Sequence, residues 1–287
     1  MMISVIIPVY KNWDLLAICL KSLADQTFPQ NQFEIVLVNN DPKSGIPENF
    51  NLPSNTRVIN QMLPGSYSAR NKGMIDAKGE VFVFTDSDCI PELNWLEKGM
   101  DLISSGYDLV GGEMNLFKPE GGGDLAYIYE SRFGFNQRRN VLEKGQSITA
   151  NLFCKKEVVN TVGPFPEDLM SGGDFVWTQK ATSSGFRIAF GEDVIVKHPS
   201  RKSISELVKK KKRTIGGMYT RFYKSYSPLQ KLRFSIFFIR PHLSIFTYKG
   251  LSIMEKTKLF FATWYVECVG MKEMLLLDFN KKSAERS

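Results

Sequence analysis

Short apolar runs alternate with segments of helical periodicity through the first half of the chain. Residues 4–9 form a β-branched run closed by Pro8-Val9-Tyr10, and residues 13–23 then carry apolar side chains at helical spacing. A second strand is predicted over 33–38, ended by the polar cluster Asn39-Asn40-Asp41-Pro42. A short third strand over 56–60 precedes a helix over 66–77, and residues 80–85 make an almost continuous apolar strand. Strands apolar on both faces and separated by helices predict an α/β fold, a mostly parallel sheet flanked by helices. Ligands of such sheets collect at the carboxyl ends of the strands. That is where this chain places its polar clusters.

Beyond the fourth strand the pattern predicts a helix over 95–105, a strand over 108–117 and a flexible loop over 119–123. One helix is predicted over 124–139, an extended segment over 149–154 and a helix over 174–184, followed by two short β-like runs within 187–198. Near residue 200 the composition turns basic and aromatic, which divides the chain into a domain over 1–200 and a C-terminal helical appendage over 201–287. Lys209-Lys210-Lys211-Lys212-Arg213 spans little more than one helical turn, so its charges surround the helix and form no single face. Such a run serves either as a solvated helix or as a dock for anionic lipid. The aromatic and basic segment 219–248 suits an interfacial location.

Composition narrows the class. With 287 residues, 43% hydrophobic and 23% charged, the chain is a folded globular protein with room for one large domain and an appendage. The cysteines, Cys19, Cys89, Cys154 and Cys268, are scattered without CxxC spacing. That pattern speaks for reduced thiols and a cytoplasmic setting, and against a disulfide framework or a zinc site. The first residues lack the basic start and long apolar core of a signal peptide, and no run of ~18 uninterrupted apolar residues predicts a membrane span. A net charge of +7 suits an anionic partner, whether nucleotide phosphates, lipid headgroups or nucleic acid.

The strongest chemical signal follows the strand over 80–85. Thr85-Asp86-Ser87-Asp88 puts two carboxylates one residue apart at the open end of a parallel sheet, just before Cys89-Ile90-Pro91. A bare Asp-x-Asp is common in turns, but in this position it suits Mg²⁺ or Mn²⁺ and a bound diphosphate, because hard cations take oxygen ligands. Its order along the chain adds specificity. Val5-Ile6-Ile7-Pro8-Val9-Tyr10, a polar cluster after the second strand, Gly65-Ser66-Tyr67-Ser68-Ala69-Arg70-Asn71-Lys72-Gly73 and Phe84-Thr85-Asp86-Ser87-Asp88 follow one another. Together they resemble the family 2 glycosyltransferases of GT-A (Rossmann-like) fold over about residues 3–200.

That resemblance implies an inverting transferase that moves a sugar from a nucleotide diphosphate donor to an acceptor hydroxyl. It implies metal and diphosphate at Asp86, Ser87 and Asp88, with Asp88 the direct ligand and Asp86 nearer the ribose. Pro8 and Tyr10 at the first strand end, Asn39, Asn40 and Asp41 at the second, and Ser68, Arg70 and Asn71 on the following helix would border the donor. A helix start and an arginine both favour an anion. The family commonly carries paired aspartates at the second strand end where this chain has Asn39-Asn40; an amide can still pair with a base. UDP is the family's default, and the departure leaves the base open. The family also implies a glycan or lipid-linked glycan acceptor, and the basic, aromatic tail suits a peripheral place at the inner face of the cytoplasmic membrane.

Inverting transfer needs a carboxylate to take the acceptor proton. Asp174, in Met170-Ser171-Gly172-Gly173-Asp174-Phe175-Val176-Trp177, resembles the acidic acceptor-side motif of the family; as a residue type it equally suits a helix cap. Glu167 and Asp168 are fallback bases. His198, in Val196-Lys197-His198-Pro199, is structural or, as in some relatives of the fold, a further metal ligand. Asn151 and Gln137 also resemble positions near the sugar pocket, with core or helix-surface roles equally open. Two rival readings are a sugar-phosphate nucleotidyltransferase and a non-enzymatic basic protein binding membrane or nucleic acid. The first lacks a glycine-rich loop after the first strand, and the second leaves Asp86, Asp88 and Asp174 without purpose.

Overall fold

The computed structural model describes residues 1–41, 43, 45–169 and 171–279. Pro42 of the polar cluster, Met170 of the acceptor-side motif and residues 280–287 of the predicted appendage lie outside them. The first half runs β1 (Ile3–Val9), α1 (Trp13–Ala24), β2 (Phe33–Asn39), β3 (Thr56–Asn60), α2 (Ser66–Asp76), β4 (Val81–Thr85) and β5 (Ile90–Pro91). Next come α3 (Trp95–Ser104), β6 (Leu109–Phe117), α4 (Asp124–Phe133), α5 (Gln137–Lys144), β7 (Asn151–Lys155) and α6 (Lys156–Val162). The chain continues with α7 (Gly173–Ser183), β8 (Ile188–Pro199), α8 (Ile204–Arg221), α9 (Pro228–Ile239) and α10 (Ile253–Asp278).

These elements form an α/β fold around one eight-stranded sheet of order β3-β2-β1-β4-β7-β6-β8-β5. The first four strands in this order are parallel, with Ile3↔Phe33, Ile35↔Thr56 and Ile3↔Val81 in register. Beyond β4 the sheet is mixed: β7 runs antiparallel to β4, β6 to β7 and β5 to β8. The parallel pattern read from the sequence thus describes the β3-β2-β1-β4 half of the sheet. Pro8 would be costly in a central strand because it has no N–H to give. Here pairing with β4 ends at Ile6↔Phe84, so Pro8 has only β2 beside it.

The predicted helix over 124–139 is two helices, α4 and α5. Gly134 breaks it at φ −75°, ψ −133°, and a Cβ there would stand 2.3 Å from the Glu130 carbonyl oxygen. Asn136 then starts α5 by accepting from Arg139 N–H at 3.3 Å. The two β-like runs within 187–198 are one strand, β8, and α6 follows β7 without a sequence signal that separated it.

The chain divides into two compact units. The first takes residues 1–115, 136–167 and 173–198; the second takes 116–135, 168–172 and 199–287, so far as these are described. In the first unit Val36, Val38, Phe82 and Phe84 of the sheet are buried in one core with Ala69 of α2, Phe165 and Trp177 of α7. A Cβ at Gly73 would meet Ile6 Cγ2 at 2.5 Å, so α2 lies on the sheet at a separation that needs glycine. In the second unit Ile215 of α8, Tyr223 and Met271, Met274 and Leu277 of α10 form a core, against which the partly buried Phe234 and Phe238 of α9 pack. Two of the five clustered cations belong to that packing. Lys210 pairs with buried Glu130 at 2.6 Å, and Lys211 pairs with Glu267 at 2.6 Å. No helix of the described residues is long and apolar enough to cross a membrane.

Candidate active site

The site lies in the first unit, at the carboxyl ends of β1, β2 and β4. A turn directly after β4 sets it up: Ser87 and Cys89 are buried, while Asp86 and Asp88 stay partly exposed. The segment is tied down on both sides. Thr85 Oγ1 donates to the Ala150 carbonyl at 3.0 Å, and Cys89 N–H donates to the Asp86 carbonyl at 3.1 Å. The two aspartates then have different partners. Asp86 is ion-paired with Arg70 of α2, whose side chain is 4% exposed. Asp88 Oδ2 faces His198 Nε2 of β8 at 3.6 Å.

Asp88, Cys89 and His198 offer ligand atoms within 4.8 Å of one another. The donor set fits a hard divalent cation at Asp88 and His198. Their 3.6 Å separation is beyond a hydrogen bond and close to the about 3.0–3.5 Å between atoms that share an ion at about 2.1 Å each. Cys89 is the poorer ligand: burial pushes its thiol well up, with Asp86 and Asp88 adding to the shift, and Sγ points to the Ala150 carbonyl at 3.9 Å. Asp86 is held by Arg70, outside that trio.

A second carboxylate centre opens α7. Asp174 Oδ1 accepts from the Tyr67 hydroxyl at 3.1 Å and from Phe175 N–H at 3.0 Å. The Tyr67 oxygen in turn accepts from Gly173 N–H at 2.9 Å and from Asp174 N–H at 3.3 Å, so a side chain of α2 caps α7. Burial pushes Asp174 above the ordinary carboxylate range. Arg70, the Phe175 N–H, the Tyr67 hydroxyl and the Thr149 backbone oppose it without cancelling it. Arg70 therefore acts on both centres, pairing with Asp86 and lying 5.9 Å from the Tyr67 ring centre. Its buried Nε has no hydrogen-bond partner among the described residues.

Several residues read from the sequence as donor contacts are committed to the scaffold. Asn40 Nδ2 donates to the Gln61 and Leu63 carbonyls at 3.0 and 2.7 Å, and its Oδ1 accepts from Gly65 N–H at 2.8 Å. Asn39 is buried, with Oδ1 accepting from Asp41 N–H at 2.9 Å. Ser68 Oγ bonds back to the Leu63 and Gly65 carbonyls at 2.7 and 2.9 Å. Asn71 donates to the Phe165 carbonyl and Glu167 Oε1 at 2.9 and 2.8 Å and accepts from Phe165 N–H at 2.8 Å. Tyr10 is 52% exposed at the end of β1, Pro8 is half-buried, and Asp41 meets Lys11 at 3.7 Å.

Asn151 and Gln137 prove to be buried links. Asn151 accepts from Trp95 Nε1 at 2.9 Å and donates to the Glu113 and Val194 carbonyls at 2.9 and 2.8 Å. Gln137 donates to Ser147 Oγ at 2.8 Å and accepts from Ile148 N–H at 3.3 Å. Glu167 and Asp168, the fallback bases, are exposed. Tyr67 was given no role by the sequence, although it stands three residues before Arg70 and so shares its helix face.

The family model described as Glycosyl transferase family 2 matches residues 4–156, the stretch that builds most of this site. The chain belongs to that family. It is a glycosyltransferase, 38% identical over 214 residues to glycosyltransferase AglE of Haloferax volcanii, over 72% of this chain and 70% of that one. Solved glycosyltransferases share the fold. Mannosyltransferase PcManGT from Pyrobaculum calidifontis, in complex with GDP-Man and Mn²⁺, aligns at TM-score 0.63 and 15% identity over 98% of this chain and 88% of that one. Residues 1–349 of Staphylococcus aureus TarS, in complex with UDP-GlcNAc, align at TM-score 0.53 and 17% identity over 98% and 91%.

Proposed function

We propose that this family 2 glycosyltransferase moves a sugar from a nucleoside diphosphate donor to a hydroxyl of a glycan or lipid-linked glycan, with inversion at the anomeric carbon. The observation that carries this reading is the pair of carboxylate centres in one unit: Asp88 with His198, and Asp174 with Tyr67, joined through Arg70. The relatives support the donor class, since TarS is described with UDP-GlcNAc and PcManGT with GDP-Man and Mn²⁺. UDP remains the first choice of nucleotide.

Asp88 and His198 would hold Mg²⁺ or Mn²⁺, which when bound neutralises the charge that develops on the departing diphosphate. Arg70 holds Asp86 in place, and its guanidinium keeps a fixed positive charge between Asp86 and the Tyr67 ring. Asp174 takes the proton of the acceptor hydroxyl as that oxygen bonds to the anomeric carbon from the face opposite the diphosphate. The bond from that carbon to the diphosphate oxygen breaks, and its electron pair leaves with the nucleotide. Asp174 suits the task because burial raises its proton affinity. Tyr67 holds its carboxylate so that proton transfer needs no rearrangement. Asn39, Asn40, Ser68 and Asn71 shape the rim on which the nucleotide rests, and Pro8, Tyr10, Asp41 and Ser87 border it.

The test is calorimetric titration of the protein with UDP, GDP, CDP and dTDP, each with and without Mn²⁺. Tight binding of one nucleotide only with the ion supports the reading and names the donor class. Absence of binding to all of them would overturn it.

A further inference from the structure

We propose that the outward face of α9 is a docking surface for an anionic lipid membrane. The helix lies wholly in the second unit and buries none of its residues. Its inner side is defined by Phe234, whose ring centre lies 5.2 Å from those of both Tyr223 and Phe238, and by Lys231, paired with Asp278 at 2.6 Å. On the opposite side, at helical spacing, stand Leu229, Leu232 and Ile236, exposed by 57%, 57% and 61%. A helix packed on a soluble core turns polar residues to that side. Here the side facing water is apolar, and the side facing the core holds the ion pair.

Charge selects the occupant. Arg233 is exposed and falls beside Leu229 and Ile236 on the helical wheel, and Arg240, the residue after the helix, is exposed as well. Between residues 207 and 254 the sequence has eleven Lys and Arg and no Asp or Glu. Three of those cations, Lys210, Lys211 and Lys231, are ion-paired within the unit, and Lys209, Arg233 and Arg240 are exposed. A second copy laid on the same face would bring arginine against arginine. A layer of anionic headgroups over acyl chains matches both features at once, because a helix with an apolar face and basic flanks settles in the plane of that boundary. Arg240 lies 4.1 Å from the Phe237 ring centre, an arrangement that keeps a cation and an exposed aromatic together at headgroup depth.

Co-sedimentation of the full chain with vesicles tests the surface. Binding is expected to vesicles of phosphatidylglycerol and phosphatidylcholine in equal parts, to fall as salt is raised, and to be absent with phosphatidylcholine alone. Arg233→Gln with Arg240→Gln should weaken partitioning by about 25-fold, about fivefold for each cation removed. Leu232→Ser with Ile236→Ser should abolish it, and the melting temperature of both variants should match the parent because these side chains are exposed. Asp88→Ala should bind vesicles as the parent does, so failure of the transferase reading is told apart from failure of docking. Absence of binding to the anionic vesicles, or equal binding to both kinds, overturns the proposal. So does a parent dimer in sedimentation velocity that Leu232→Ser with Ile236→Ser makes monomeric, which would assign the face to a second copy.

Discussion

Tyr67 and Asp174, 107 residues apart in sequence, share a hydrogen bond of 3.1 Å in which the phenol donates to the carboxylate. The same phenol oxygen accepts two backbone N–H groups at the start of α7, so its proton is directed to Asp174 by the bonds it receives. Tyr67 is buried, and burial with the nearby Asp174 charge pushes its own ionisation far above the ordinary range. It stays a neutral donor throughout the working pH range.

Tyr67→Phe should therefore move the acid limb of kcat/KM. As the proposed base Asp174 would act as a carboxylate, and the Tyr67 bond favours that charged form against burial. Without the bond the proton affinity of Asp174 rises further, and the limb shifts to higher pH. A pH profile measured at saturating metal checks this. A limb left in place would show that Tyr67 only holds the helix.

Asp174→Asn keeps the shape of the side chain and removes the proton acceptor. Transfer should fall by about 10²–10⁴-fold while calorimetric nucleotide affinity stays within a few-fold of the parent. If transfer survives, the base has to be sought at Glu167 or Asp168.

The two aspartates at the end of β4 should fail in different ways. Asp88→Ala removes the carboxylate that faces His198, so Mn²⁺-dependent nucleotide binding should disappear with little change in melting temperature. Asp86→Asn leaves the buried Arg70 guanidinium without its charge partner. It should destabilise the fold by about 1–3 kcal/mol, less than for a fully buried pair because the Asp86 side chain is 35% exposed. Denaturant titration separates the two, and equal stability of both variants would refute the distinction.

Asn151→Leu tests the scaffold. The wild-type side chain is fully buried and joins β7 to Trp95 and to one carbonyl each of β6 and β8. A leucine would strand all three groups away from water, at a cost of about 3 kcal/mol after partial relaxation. A loss under about 1 kcal/mol in urea unfolding would mean that water replaces the amide.

The strands and helices of the donor side were legible because their signals are local. The β3 strand over 56–60 and the helix start at Ser66 fall where periodicity places them. The break at Gly134 was not legible, because the residues around it keep helical periodicity and only the backbone turn at Gly134 departs from it. Asn40 and Asn71 looked like donor contacts because polar residues at strand ends and helix starts suit ligands. They serve the chain itself because loop backbone beside the site also needs partners, and an amide can both give and accept.

The sequence by itself determined the family and the α/β class, and it singled out the carboxylates at 86, 88 and 174 as candidates, because apolar periodicity and motif order are properties of neighbours along the chain. Only the tertiary structure decided that Asp86 faces Arg70 while Asp88 faces His198, that Tyr67 holds Asp174, and that α9 turns leucine and isoleucine to water. Those relationships join residues far apart in sequence or depend on which side of a helix meets the core. Both are settled by packing, which no local pattern encodes.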